Sequence, residues 1–443
     1  MTPAELKARA CAEIDRRAAE IVALSEDILR HPETGYRETR TAEVVARKFA
    51  ELGLAPRAGL ARTGVKARMR GRGPGPAVGI LGELDSLVIP DHPFADPETG
   101  AAHACGHNSQ VAAMVGAGIG LRPVLGELDG DVVLFAVPAE ECIQTGWRLS
   151  LRDAGELHHT AGKAELIRLG HFDDVDLALL THAGTPEPAL GLGFTGTGSL
   201  LMRVRFHGRA AHAAASPEAG ISAYKAATVA ISAIDAHREM FREGDGIRVH
   251  HLITSAGSAV SSIPALTEME VLVRARTIEA MRDAAARVQG AVRGGALAMG
   301  ADVEILTTVS FLPYADDAPL AEVVESSARE LVGDGYARLD GPGGGSTDMG
   351  DLGQVMPVVQ AMAAAGVDAP FHSNAFYTAD HVASAVVPAK LMAMSAIDLL
   401  HGGAARARDV LARSGPKLSR AEFVRLHDSL THEETFRSAD HRL

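Results

Sequence analysis

The chain has little cysteine: three residues in 443, at positions 11, 105 and 142. An odd and sparse count cannot build a disulfide framework, and it points to a reducing compartment. Nor is there a surplus of positive charge. Lys and Arg total 43 against 56 Asp and Glu, a formal net charge of -13. That balance disfavours nucleic acid as a partner and bears on solubility rather than on fold. No apolar run reads as long enough to cross a bilayer. The opening residues, MTPAELKARACAEIDRRAAEIVAL, form a mixed-charge amphipathic pattern without the short apolar core of a signal peptide. A cytoplasmic chain with no membrane partner is expected. Internal repeats and low-complexity segments are absent from the sequence.

What is present is alternation. A length of 443 residues suits two domains, or one domain with a large insert. Residues 4–30 and 38–53 carry apolar positions at helical spacing, and Gly53 with the 56–59 stretch ends the second pattern. Three buried-strand runs follow, separated by helical patterns: AVGILGELD, DVVLFAVPAEE and VDLALLTHAG. Two end in acids and the third in His182. Strand–helix alternation implies an α/β sheet, in which ligands gather at the strand carboxyl ends. From about residue 197 the order becomes strand, helix, two strands, helix, strand, the split arrangement of a ferredoxin-like (βαββαβ) sandwich. The expected domains are 1–196 and 314–403 as a catalytic α/β domain, 197–313 as an insert, and 404–443 as a charged C-terminal tail.

Several short constellations carry chemical potential. In His103-Ala104-Cys105-Gly106-His107-Asn108, a C-x-H pair in a tight glycine-containing loop can present sulfur and nitrogen to one transition metal. A buried Cys beside a surface His is the plainer alternative. Glu140 and Glu141 close a buried run, where two like charges are costly without a cation. One can ligate a metal while the other accepts a proton from water. His182 and His372 sit at further strand or loop ends, each more often structural when taken alone. The run Gly343-Gly344-Gly345-Ser346-Thr347-Asp348 permits close backbone approach. It lacks the lysine of a phosphate loop and reads as a pocket floor, with Ser346 facing substrate. His212, among alanines, is either a packing residue or a donor to a developing oxyanion.

Together these segments resemble the metal-dependent aminoacylase and carboxypeptidase family. The matching pieces are GELDSL (82–87), HACGHN (103–108), VPAEE (137–141), THAG (181–184), GRAAHAAASPEAG (208–220), GSTDMGD (345–351) and FHSNAFYTAD (371–380). They occur in family order. The HACGHN and GSTDMGD forms are most similar to the aminobenzoyl-glutamate hydrolase branch. The resemblance implies an α/β, zinc-peptidase-like catalytic domain with an inserted ferredoxin-like lid and dimerisation domain. It implies Cys105, His107, Glu141, His182 and His372 as metal ligands, Glu140 as general acid/base, and Asp85 as the carboxylate behind the site. It further implies His212 as a lid histidine serving the partner subunit of a homodimer or higher homo-oligomer. One or two ions of manganese, zinc, cobalt or nickel per subunit are implied with it. Relatives usually continue the Glu-Glu pair with glycines; here Cys142-Ile143-Gln144-Thr145-Gly146-Trp147 follows.

The expected reaction is hydrolysis of a C–N bond in a small, carboxylate-bearing, aromatic substrate, such as an aryl amide, or of an N-acyl amino acid. Arg274 and Gln144 join Ser346 as candidate substrate contacts, Arg274 by position and with a solvent-facing strand residue as its alternative. Bulkier side chains at 142–147 leave a second chemistry open: attack on an electron-poor aromatic carbon with loss of an amine, as in conversion of 5-nitroanthranilate to 5-nitrosalicylate. A non-catalytic binding protein on the same fold is a third alternative, which loss of a ligand or of the Glu-Glu pair would signal.

Overall fold

The computed structural model describes residues 1–339, 341 and 343–441. Its two main sheets are built from β1 (Arg57–Leu60), β2 (Gly64–Arg70), β3 (Gly73–Glu83), β4 (Asp129–Val137), β5 (Leu177–Gly184), β6 (Leu190–Leu192), β7 (Gly198–His207), β8 (Arg248–Ser255), β9 (Leu266–Ala275), β10 (Asp302–Phe311), β11 (Tyr336–Arg338), β12 (Val358–Ala364) and β13 (His432–Phe436). The chain divides into two compact units. One comprises Met1–Thr195, Ala315–Gly343 and Asp351–Ala421; the other comprises Gly196–Tyr314, Gly344–Gly350 and the residues from Glu422 onward.

The first unit holds an eight-stranded mixed sheet, in the order β1-β2-β4-β3-β5-β12-β6-β11. Strands β4, β3, β5 and β12 run parallel to their neighbours in that series. Parallel central strands are covered on both faces, so they read as continuous apolar runs rather than alternating ones. Val78, Ile80, Val132, Leu134, Leu177 and Leu179 accordingly lie in the core. The helix His107–Leu121 is buried all round and is rich in small residues. At Gly118 a Cβ would lie 2.6 Å from Leu134 Cδ1 of β4. The 4–30 pattern forms two helices, Pro3–Arg16 and Ala18–Leu29, broken at Arg17.

One expectation needs correction here. The helix Val382–Arg413 is long and apolar enough to cross a membrane by length and composition, contrary to the reading of the sequence alone. Of its apolar window, 72% is buried, and Leu391, Ile397 and Leu400 belong to the core of the first unit. Non-helical backbone at His401–Ala404 interrupts it. Its length reflects packing along the sheet.

The second unit is a five-stranded antiparallel sheet, in the order β8-β9-β7-β10-β13, with helices Ala223–Ala236 and Ile278–Met299. Its strands alternate: Leu200, Met202, Val204 and Phe206 are buried, while Leu201, Arg203, Arg205 and His207 are partly exposed. Ser222 and Thr277 accept hydrogen bonds from Lys225 N and Ala280 N, capping the two helices. The first four strands with these helices follow the ferredoxin-like order. Among the described residues, the 404–443 segment does not form the expected charged tail: residues 405–413 complete the long helix, Arg420–Leu430 forms another, and β13 pairs with β10. Glu434 of β13 meets Arg293 at 2.9 Å, so a strand with too few apolar residues to be recognised alone is held by a partner distant in sequence.

Candidate metal centre

Three strand ends and two loops converge in the first unit. Strand β3 ends on Glu83, followed by Asp85. Strand β4 leads into Pro138-Ala139-Glu140-Glu141, and His182 lies near the end of β5. Gly106 begins the helix that carries His107. Its φ is +89°, and a Cβ there would lie 2.4 Å from Ala183 Cβ. Only glycine fits that conformation and that space, and it lets Cys105 and His107 flank the turn. His372 also has a left-handed backbone, φ +62°, and its N–H donates to Ala104 O at 3.0 Å, beside Cys105.

The donor atoms fall into three overlapping groups, Cys105/His107/His182, Cys105/Glu141/His372 and Glu83/His107/Glu140, each spanning no more than 4.8 Å. Cys105 Sγ is 3.4 Å from His182 Nε2, and His372 Nε2 is 3.5 Å from Glu141 Oε1. Backbone carbonyls fix the imidazoles. His107 Nδ1 donates to Asp85 O at 2.9 Å, and His182 Nδ1 to Ala183 O at 2.7 Å. A ring whose Nδ1 donates to a carbonyl presents Nε2 as a lone pair, the arrangement of a metal-ligating histidine. Asp85 stands behind, its Oδ2 accepting from Glu141 N at 2.9 Å and its Oδ1 lying 3.4 Å from His107 Nδ1.

The electrostatics are those of acids crowded together with too little positive charge. Burial pushes the Glu141 carboxyl up to about 7. Burial and the charge of Glu141 raise the Cys105 thiol well above its ordinary range. Burial disfavours charge on His107, but Glu83 and Asp85 outweigh it and hold the imidazole well above its usual pKa. Burial, with His107 nearby, lowers His182 to about 4. A divalent cation would favour the charged form of the thiolate and carboxylate and replace the proton on His107. Two atoms fit that reading directly. His107 Nε2 and Glu141 Oε1 are buried without a hydrogen-bond partner, the former 3.1 Å from Glu83 Oε2 but outside hydrogen-bond geometry. Mixed sulfur, imidazole and carboxylate donors suit borderline transition metals.

The remaining candidates lie as follows. Gln144 has φ +52°, and its Oε1 accepts from Thr34 Oγ1 at 3.3 Å. In the second unit, Arg274 Nη1 donates to Ser346 Oγ at 2.6 Å, so Arg274 is not simply a solvent-facing strand residue. His212 is exposed rather than packed. Its Nδ1 accepts from Ala214 N and Ala215 N at 3.2 and 3.0 Å, which leaves the proton on Nε2, where it can be donated. Sequence reasoning misses Glu83. Burial raises its pKa, but Lys163 and His107 overcome this and bring it to about 2. Lys163 Nζ is 2.5 Å from Glu83 Oε1, both side chains being at most 1% exposed. Glu83 ends the same apolar run as Asp85 and is legible on those terms; a buried lysine has no local signature.

Sulfur, imidazole and carboxylate donors at the carboxyl ends of parallel strands, with a further carboxylate beside them, define a metal-dependent hydrolase. The chain belongs to peptidase family M20/M25/M40, whose model matches residues 79–393, and it acts on amide or peptide bonds. It is similar to the Xaa-Arg dipeptidase of Mus musculus, 28% identical over 418 residues and covering 89% of each chain. It is also similar to a p-aminobenzoyl-glutamate hydrolase polypeptide of Escherichia coli (strain K12), 30% identical over 299 residues, 63% of this chain and 56% of that one. Among solved structures, a dinuclear metal-binding peptidase of family M20 from Bacillus subtilis has a TM-score of 0.66 at 22% identity, covering 86% of this chain and 98% of that chain.

Proposed function

We propose that Cys105, His107, Glu141, His182 and His372 hold one or two divalent transition-metal ions, and that Glu140 acts as general acid/base on a small carboxylate-bearing amide. The observation that carries this is the overlap of donor groups through Cys105 and His107, with Glu140 in the group beside them. Such an ion supplies a nucleophile from water at neutral pH and polarises the bond under attack. Glu140 takes the water proton and passes it to the leaving nitrogen. Asp85 keeps His107 in the tautomer that offers Nε2. His212, with its donor Nε2–H, is assigned to the developing oxyanion, and Arg274 with Ser346 to the substrate carboxylate; Gln144 borders the substrate. Assembly as a homodimer or higher homo-oligomer and a cytoplasmic location complete the reading, the latter in keeping with three free cysteines.

A second reading has one observation in its favour. Ile143 packs against the cluster of Leu87, Ala104 and Cys105, so a branched side chain stands beside a proposed metal ligand. A narrowed site suits a compact planar substrate and opens the expulsion of an amine from an electron-poor aminobenzoate. The test is the specificity constant, with manganese added, for aminobenzoyl-glutamate, an N-acyl amino acid and 5-nitroanthranilate, in wild type and in the Ile143→Gly, Gln144→Gly, Thr145→Gly triple variant. Preference for a compact aromatic that relaxes in the triple variant supports the narrowed site. Efficient wild-type cleavage of bulky N-acyl amino acids, unaltered in the variant, returns the chain to ordinary aminoacylase chemistry.

A further inference from the structure

The turn that carries Glu140 and Glu141 is unusual in two respects. Ala139 has φ +54°, a left-handed conformation that costs a residue with a Cβ energy and persists only where its surroundings impose it. The strand ends at Val137, and in the turn beyond it Glu140 and Glu141 both belong to the donor groups of one centre. Something must hold this backbone.

Two buried carboxylates do so. Glu38 Oε1 accepts from Ala139 N at 2.8 Å, and Asp85 Oδ2 accepts from Glu141 N at 2.9 Å. The second oxygen of Glu38 accepts from Thr63 Oγ1 at 2.6 Å. Glu38 occupies the N-cap of the helix Thr39–Glu51, but its side chain makes no capping bond there. It reaches across to the turn that follows β4 instead. Both carboxylates are fully buried, and replacing buried charge with well-packed apolar groups is often neutral or stabilising, so stability alone does not account for the pair. Burial and the charge of Asp85 raise Glu38 to about 7, while against burial His107 and Arg148 help hold Asp85 below its usual value. Arg148 is 1% exposed and donates to Thr160 O at 2.9 Å and to Ala139 O at 3.4 Å. Its Nε and Nη2 have no hydrogen-bond partner. Gly35 makes room for it: a Cβ at that position would lie 2.3 Å from Arg148 Nη2 and 2.8 Å from Ala139 Cα.

We propose that Glu38 is a positioning residue for hydrolysis: with Asp85 it clamps the amides on either side of Glu140, over the Arg148 guanidinium, and so aims both acidic side chains at the centre. The proposal rests on the assignment of Glu140 and Glu141 given above. Its test compares Glu38→Ala with Glu38→Gln in the full chain. Glutamine keeps both contacts, its carbonyl accepting from Ala139 N and its amide donating to the Thr63 hydroxyl. Three readouts are taken: hydrogen exchange over residues 138–142 by mass spectrometry, the visible spectrum of the cobalt-loaded protein, and kcat with KM. In Glu38→Ala, exchange at the turn accelerates, the cobalt spectrum shifts, and kcat falls by up to ~10²-fold, the cost of misplacing a reacting group by about 1 Å, while KM holds. In Glu38→Gln all three return toward wild type. Wild-type exchange, spectrum and kcat in Glu38→Ala would overturn the proposal, and so would a kcat loss matched entirely by a loss of folded protein. If Glu140→Gln keeps full turnover, the acid/base assignment fails, but exchange and the cobalt spectrum still judge the clamp.

Discussion

The two sheets of this chain distribute polar groups in opposite ways. In the first, the central parallel strands are buried on both faces, and their charges are gathered at one end. Glu83, Glu141 and His182 each follow an apolar run. In the second, strands β7 and β9 alternate, so Arg203, Arg205, Glu268 and Glu270 are spread along one face and pair locally, as Arg205 does with Glu268 at 2.8 Å. A charge that ends a buried run is kept in place against its desolvation cost; a charge on an alternating strand keeps part of its surface in water and pairs at a lower cost. The proposed chemistry is therefore concentrated in the first sheet, and His212, the candidate in the second unit, lies outside its main sheet on a two-stranded ribbon with Ser262–Ile263.

Three substitutions sharpen that contrast. Glu140→Gln attacks it where it is strongest: kcat should fall by about 10²–10⁴, the range for a general acid/base, with metal content unchanged by elemental analysis. Near-normal turnover would remove Glu140 from the chemistry. His212→Ala probes the second unit. Loss of an oxyanion donor costs about 10²–10³ in kcat, and the metal should stay. Mixing this variant with Glu140→Gln tests whether one subunit serves the other; activity should reappear after subunit exchange, and a mixture that stays inactive confines the site to one chain. His107→Ala should leave turnover per bound metal less affected than metal affinity. Affinity should drop by at least the ~10–100-fold that accompanies loss of an outer-shell partner, as read by dialysis against a chelator. Full retention of metal would exclude His107 as a ligand.

Much of the first sheet can be read in advance because its signals are local. Apolar runs of strand length ending in acids or histidine mark both the strand and its chemical end, which is why Glu140, Glu141 and His182 stand out along the chain, while Cys105, His107 and His372 stand out by residue type in short loop motifs. Glu38, Arg148 and Lys163 do not. A buried ion is stabilised by partners far away in sequence, and along the chain it looks the same as a solvated one. The break between the first two helices at Arg17 is likewise hidden, since the apolar spacing runs through it. The last strand escapes for a related reason. In HEETF, Glu434 faces the helical side of the sheet and is neutralised by Arg293, so the usual apolar–polar alternation is absent.

That last strand gives the second sheet a direction. Strand β13 extends the sheet past β10, and Ser438 N donates to Asp302 Oδ1 at 2.9 Å just beyond it. The borders of the sheet are therefore β8 and β13, and they differ in character. The β8 border carries Leu252 with 64% of its surface exposed, whereas β13 carries His432, Glu433 and Glu434. Charged side chains on an edge strand discourage pairing with another chain, so β13 replaces the border that β10 would offer with one that repels a further strand.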